Sequence, residues 1–190
     1  MSEFLPVATV TDVKPGTPGI DPTKPIPLKN IVGQNYNVTI YVTVKNEGNY
    51  TEKNINVTAY WSNSTHINQT IGSIFIPELL IKTSVTVSIT WSTSGIAKGN
   101  YTISAYAEPV PGETDTTDNT LVDGVLYVGI PGDINADGKV DMKDIGSICM
   151  AYGSYPGHPK WNPNADINDD GKVDMKDIGY ACMHYGQHCP

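Results

Sequence analysis

Apolar and polar side chains alternate in short bursts along the first two thirds of the chain: Tyr36 to Val44, Ile55 to Trp61, Ser84 to Trp91, Tyr101 to Ala107 and Leu121 to Val128. A period of two, rich in Val, Ile, Thr and Tyr, puts one side of each run in a core and the other in solvent, as in a half-buried β-strand. Asn46-Glu-Gly-Asn49, Ser62-Asn-Ser64, Ser94-Gly95 and Pro111-Gly112 separate the runs with turn-forming residues. With a further strand around Ala8 to Val13, about six to eight strands are expected, spaced as in an antiparallel sandwich. Past Pro131-Gly132 the period changes. Ile145, Ile148 and Tyr152 stand at i, i+3 and i+7, and Ile178, Ala181 and Tyr185 repeat that spacing. Two helices are expected there, with both stripes facing a common core.

Composition breaks at the same point. Residues 131–190 hold all three cysteines, nine acidic residues and five lysines, a local charge of −4. Two domains follow, 1–130 and 131–190, joined by a turn dipeptide with no long linker. The second contains a duplication: Asp133-Ile-Asn-Ala-Asp-Gly-Lys-Val-Asp-Met-Lys-Asp-Ile-Gly146 recurs from Asp166 to Gly179, and only Ala136 against Asp169 differs. Each copy carries the spacing of a twelve-residue calcium loop, in which oxygens at positions one, three, five, seven (a main-chain carbonyl), nine and twelve surround the ion. The first set, in loop 133–144, is Asp133, Asn135, Asp137, Lys139, Asp141 and Asp144; the second, in loop 166–177, is Asp166, Asn168, Asp170, Lys172, Asp174 and Asp177. Gly138 and Gly171 fall at position six, where the chain turns sharply around the ion. Two Ca²⁺ ions are therefore expected. Val140 and Val173, at position eight, are placed for an apolar bridge between the loops.

The duplicated segment resembles a type I dockerin: two loops closing on Asp at position twelve and a Pro-rich connector, Tyr155-Pro-Gly-His-Pro-Lys-Trp-Asn-Pro163. Val128-Gly-Ile-Pro-Gly132 and Trp161-Asn-Pro-Asn-Ala165 precede the loops and cannot form the entering helix of a calmodulin-like EF-hand. The resemblance implies a calcium-dependent module that docks onto a cohesin domain. It also implies that positions 10, 11, 17, 18 and 22 of each repeat meet the partner: Met142, Lys143, Cys149, Met150 and Ser154, then Met175, Lys176, Cys182, Met183 and Gln187. The family often has Ser-Thr at the first two of these positions, so Met-Lys leaves the identity of the cohesin open.

The first domain is similar to the CARDB family of Ig-like, adhesion-related modules, through Val42-Thr-Val-Lys-Asn46-Glu-Gly48, Gly99-Asn-Tyr-Thr-Ile103 and Val110-Pro-Gly-Glu-Thr-Asp-Thr-Thr-Asp-Asn119. That resemblance implies a spacer or adhesive role without catalysis. The expected fold is thus a mainly β N-terminal Ig-like antiparallel sandwich followed by a small α-helical dockerin with two EF-hand-like loop–helix motifs.

The remaining features narrow the function. Twelve lysines, no arginine and a net charge of −8 leave no surface for nucleic acid. No apolar run is long enough to insert in a membrane, and Met1-Ser-Glu-Phe-Leu-Pro6 lacks the features of a signal peptide. A mature segment or recombinant fragment of an exported protein is expected. Six Asn-x-Thr sequons at Asn37, Asn49, Asn56, Asn63, Asn68 and Asn100 read either as an N-glycosylated, extracellular coat or as chance in a Thr- and Asn-rich domain. Cys149 and Cys182 are half-buried packing residues, members of a disulfide with Cys189, or partner contacts. His184 and His188 stand four apart, but no further ligands complete a zinc site. Glu113, Asp115 and Asp118 form either a third cation site or a solvated hairpin, and His66 reads as a solvated residue. No nucleophile elbow, phosphate loop or H-E-x-x-H occurs, so no enzyme is expected. Three readings remain: a cohesin-binding assembly protein at the cell surface, a self-associating glycosylated surface or filament component, and an ancillary fragment of a larger secreted hydrolase.

Overall fold

A computed structural model describes residues 8–15 and 29–189. Eight strands are present among them: β1 (Ala8–Pro15), β2 (Ile31–Gly33), β3 (Asn37–Asn46), β4 (Glu52–Ser62), β5 (Gln69–Leu79), β6 (Ser84–Ser92), β7 (Gly99–Ala107) and β8 (Thr120–Gly129). Two helices follow, α1 (Met142–Ala151) and α2 (Met175–Met183). The strands form two sheets in the orders β1-β3-β6 and β2-β8-β7-β4-β5. The alternation in β3 is realised without a slip, with Val38, Ile40, Val42 and Val44 fully buried. β4 pairs antiparallel with β5 and with β7.

Two strands depart from the expected pattern. β5 carries Gly72 and Pro77 and lacks a clean period of two; it tolerates them because it is an edge strand, paired with β4 alone. A Cβ at Gly72 would come within 3.0 Å of the Ile89 side chain, so glycine there permits close packing. β2, three residues long, runs parallel to β8 through Ile31↔Tyr127 and Gly33↔Gly129, which makes the second sheet mixed where an antiparallel one was expected.

The chain divides into two compact units, and their boundary does not follow residue 130. Among the described residues, unit one comprises 8–14, 40–90 and 102–124; unit two joins Pro15, 29–39 and 91–101 to 125–189. In unit two the duplicated segment draws the earlier residues in. Its core of Ile134, Ile148, Ala151, Trp161, Ala165, Ile167, Val173 and Ala181 is flanked by Tyr36, Ile145, Ile178 and Tyr180. The Tyr36 and Tyr180 rings meet edge to face at 5.4 Å between centroids.

The helical stripes are shorter than their spacing suggested. Ile148 and Ala181 are fully buried, but Tyr152 and Tyr185 are half exposed. α1 ends at Ala151, and Tyr152 already has extended backbone as its C-cap. α2 ends at Met183, so Tyr185 also lies beyond the helical period. Trp161, within the connector, is buried.

Candidate metal-binding loops and the helix faces beside them

The first carboxylate of each loop organises the turn by accepting main-chain amides. Asp133 Oδ1 and Oδ2 accept from Asp137 N at 3.1 Å and Gly138 N at 3.0 Å; Asp166 accepts from Asp170 N and Gly171 N at 3.1 and 2.9 Å. Gly138 and Gly171 take φ of +86° and +82°, the left-handed region that position six requires. Position four is also left-handed, at Ala136 and Asp169, with φ of +57° and +58°.

Position twelve serves the loop and the helix together. Asp144 Oδ1 accepts from Ile134 N at 3.1 Å and its Oδ2 accepts from Asp141 N at 3.0 Å. Asp177 does the same with Ile167 N and Asp174 N at 2.9 and 2.8 Å. Asp141 and Asp174 are the helix N-caps, each accepting at 2.7 Å from the amide two residues on, which completes a capping box with aspartate at its far corner. Both position-twelve carboxylates are wholly buried. An aspartate at this position therefore binds the loop's start to the helix's start and keeps lone pairs for a cation.

The electrostatics are those of a cage of like charges. Oxygens of Asp133, Asp137 and Asp144 lie within 4.8 Å of one another. Burial raises the Asp133 and Asp177 carboxyls above their ordinary range, and in Asp133 the neighbouring Asp144 adds to the effect. Asp166 is pushed from 3.8 to about 6, chiefly by burial, although the charge of Lys29 opposes the rise. At the rim, Lys139 and Lys172 pair with Asp141 and Asp174 at 2.9 and 3.2 Å. Both position-nine carboxyls are held low, by the Lys139 hydrogen bond at Asp141 and by the Lys176 amide at Asp174. In the second loop Asp170 receives Lys176 at 3.4 Å and the Asn168 amide at 3.0 Å. The side-chain donors predicted for both loops are carboxylate and amide oxygens, a set that suits a hard divalent cation.

Val140 and Val173 are both buried, but their backbones do not pair with each other. Val140 bonds to Gly186 and Gln187, and Val173 to Gly153 and Ser154.

Beside the loops, α1 and α2 present the same four residues to solvent. Met142, Met150, Met175 and Met183 are each about two thirds to three quarters exposed, and Lys143, Lys176, Cys149 and Cys182 are exposed with them. The cysteines are therefore not half-buried packing residues, and all three are free thiols. The fifth position is not shared. Ser154 is fully buried, its Oγ without a hydrogen-bond partner, whereas Gln187 is exposed and contacts His184 at 3.2 Å. Ser154 cannot meet a partner from that position.

The other candidates separate. Asp115 is exposed and, among the described residues, bonds its neighbour Thr117, whereas Glu113 accepts from Val110 N at 2.9 Å and from Asn119. His66 is exposed in a turn closed by Asn63. Asn37, Asn49, Asn68 and Asn100 of the sequons are exposed; Asn56 bonds Glu108 at 3.1 Å and Asn63 is partly buried.

Residues 29–39 add contacts that the motifs did not indicate. Lys29 is 2% exposed; its Nζ donates to the main-chain carbonyl of Asp166 and pairs with Asp169 at 3.3 Å. Thr39 N donates to Asp169 at 2.9 Å, and Asn30 N and Ile31 N donate to Asn164 Oδ1 at 3.1 and 3.2 Å. The available sequence signal was the one mismatch between the repeats, at Asp169.

The CARDB profile matches residues 27–123, ending before the duplicated loops. Among solved structures, the chain is similar to the CARDB domain of a Pyrococcus furiosus protein in complex with di-metal ions, at 21% identity over 66% of this chain and 90% of that one, with a TM-score of 0.47. A domain of a proposed cell surface protein from Methanosarcina acetivorans gives 19% identity, 65% and 92% coverage and a TM-score of 0.47. A β-glucosidase from Erythrobacter marinus gives 12% identity and a TM-score of 0.46, over 65% of this chain and 15% of that one. No curated protein matches.

Proposed function

The chain belongs to the CARDB family, and from that premise we propose that it is a non-catalytic assembly protein of the cell exterior. Its duplicated loops bind two Ca²⁺ ions, and its paired helix faces dock onto a cohesin-type partner. The observation that carries this reading is the convergence of Asp133, Asp137 and Asp144 beside a helix whose solvent face is methionine and lysine, with the same residues repeated at α2. Calcium prefers six to eight oxygens, and each loop offers them at the six stated positions. Flexible methionines rimmed by lysine suit a soft apolar contact with an acidic margin. The CARDB module is the adhesive or spacer element, and the exposed sequon asparagines Asn37, Asn49, Asn68 and Asn100 are its candidate glycan sites.

Calcium should also fold the segment it binds. Residues 131–190 are about 60 in number, a size at which metal ordinarily supplements a small core. Calorimetric titration with calcium, then with cohesins, tests both steps. Circular dichroism should lose its helical component in excess chelator and keep its β-component. An unchanged helical signal in chelator would overturn calcium-dependent folding, and concentration-dependent assembly without any cohesin would favour the self-associating surface component instead.

A further inference from the structure

Thirteen of fourteen loop residues are identical between the repeats, and the fourteenth, Asp169, is the one that receives Lys29 and Thr39. Ala136, its counterpart, has a methyl group in place of the carboxylate. The duplicated segment is thus fastened to residues 29–39 through its second loop by a side chain that the first loop lacks.

The geometry points to a metal-coupled latch: Lys29 and Asp169 preorganise the second loop, so that cation binding there, and not in the first loop, is thermodynamically linked to the seating of residues 29–39. This inference rests on the cation-binding reading of the loops. Lys29 does not occupy the place of the ion. It bonds the main-chain carbonyl of Asp166 and the side chain at position four, leaving the Asp166 carboxylate turned to the loop amides. Paired with Asp169, the lysine brings no net charge to the site, so repulsion between the ammonium and an incoming cation is offset. What the pair supplies is order: it fixes the backbone on either side of the first ligand. When the cation leaves, repulsion among Asp166, Asp170, Asp174 and Asp177 loosens that backbone. Lys29, buried to 2% exposure, then loses its acceptors. Because coupling is reciprocal, a latch that tightens cation binding is itself tightened by the cation to the same degree.

The decisive variant is Asp169→Ala, which gives the second loop the sequence of the first. Asp169→Asn keeps an acceptor for Thr39 and a residue suited to positive φ while removing the ion pair, so it separates loss of the latch from loss of fold. Ala136→Asp is the converse control, placing a carboxylate at the same position of the first loop. Calorimetric calcium titration of the whole chain should resolve two affinities in the parent. Both Asp169 variants should weaken the second-loop site alone, by roughly five-fold or more, and Ala136→Asp should leave that site unchanged. Hydrogen exchange supplies a readout independent of affinity: chelator should deprotect the amides of Asn30, Ile31 and Thr39 in the parent, and much less in Lys29→Met. Calcium bound at both loops with those amides unmoved would overturn the latch and leave the cation reading intact. Absence of calcium uptake in the parent would overturn both.

Discussion

Val140 donates its amide to the carbonyl of Gln187 at 2.9 Å, and 33 residues later Val173 donates to Ser154 at the same distance. Position eight of each loop thus pairs with the turn after the opposite helix. Gly186 N returns a bond to Val140 O, and Gly153 N to Val173 O, each at 2.9 Å. Each loop is closed by the turn that follows the other repeat's helix.

Removing the tail should consequently injure the distant loop. A chain ending after Met183 loses three backbone bonds to the first loop: Val140 to Gln187, Gly186 to Val140 and Cys189 to Gly138. At about 0.5–1.5 kcal/mol each, first-loop calcium affinity should fall by about ten-fold or more, with a smaller effect on the second. Titration calorimetry of the truncated chain checks this; equal losses at both loops would refute the crossed arrangement.

The helical stripe makes a stability prediction. Ile148 is fully buried in the core that holds Trp161, whereas Tyr152 is half exposed beyond the helix end. Ile148→Ala should cost roughly 2–5 kcal/mol of unfolding free energy. Tyr152→Ala should stay within about 0.5 kcal/mol. Denaturant melts in saturating calcium measure both, and a large loss at Tyr152 would show that the stripe continues past Ala151.

Most of the fold was written in local patterns, and what escaped was non-local. The alternation of Tyr36 to Val44 located β3 because one face of that strand is buried along its length. β5 escaped because an edge strand tolerates Gly72 and Pro77 and need not alternate strictly. The loop glycines and acids were legible because a cation's coordination shell fixes residue types at fixed spacings. The seat of Lys29 was not, since a buried lysine in a Pro-rich stretch has no period, and its partners lie 137 and 140 residues away. Ser154 was misplaced because equivalence by repeat fixes a position in sequence and not its surroundings: Ser154 is buried in the turn between α1 and the connector, whereas Gln187 is exposed.

Acid should move stability and metal affinity in opposite directions. The folded-state carboxyl of Asp166 stands at about 6 against 3.8 ordinarily, and Asp133 and Asp177 shift the same way. A raised acid favours its protonated form in the fold. The metal-free protein therefore carries a penalty above about pH 6 that is relieved as the pH falls toward about 4. Protons and cations compete for the same oxygens, so calcium affinity should fall over that window. In excess chelator the helical circular dichroism, lost at about pH 7.5, should recover as the pH falls toward about 5, while the stabilisation given by calcium shrinks. A helical signal in chelator that falls further on acidification would contradict the assignment of these carboxyls as buried ligands.

The duplicated faces make the last prediction. Four residues match in type and exposure, Met142, Lys143, Cys149 and Met150 against Met175, Lys176, Cys182 and Met183, so a partner seated on one repeat can be rotated onto the other. With two equivalent modes, loss of one costs RT ln 2, about 0.4 kcal/mol, near the limit of detection. Met142→Ala with Lys143→Asp should thus be nearly silent, and so should the matching pair at Met175 and Lys176; combining all four should abolish binding, since it removes the apolar and charged anchors of both modes. The fifth position tests the symmetry more sharply, because buried Ser154 and exposed Gln187 are not equivalent. If Gln187 contributes, the second face is the stronger and Gln187→Ala biases the partner toward the first. Titration of these variants against one cohesin, with calcium saturating and folding confirmed, distinguishes the cases. A loss of about ten-fold or more (roughly 1.4 kcal/mol) from either double variant alone would mean that the partner reads one face, and that the identity of the helices reflects their duplication and not their use.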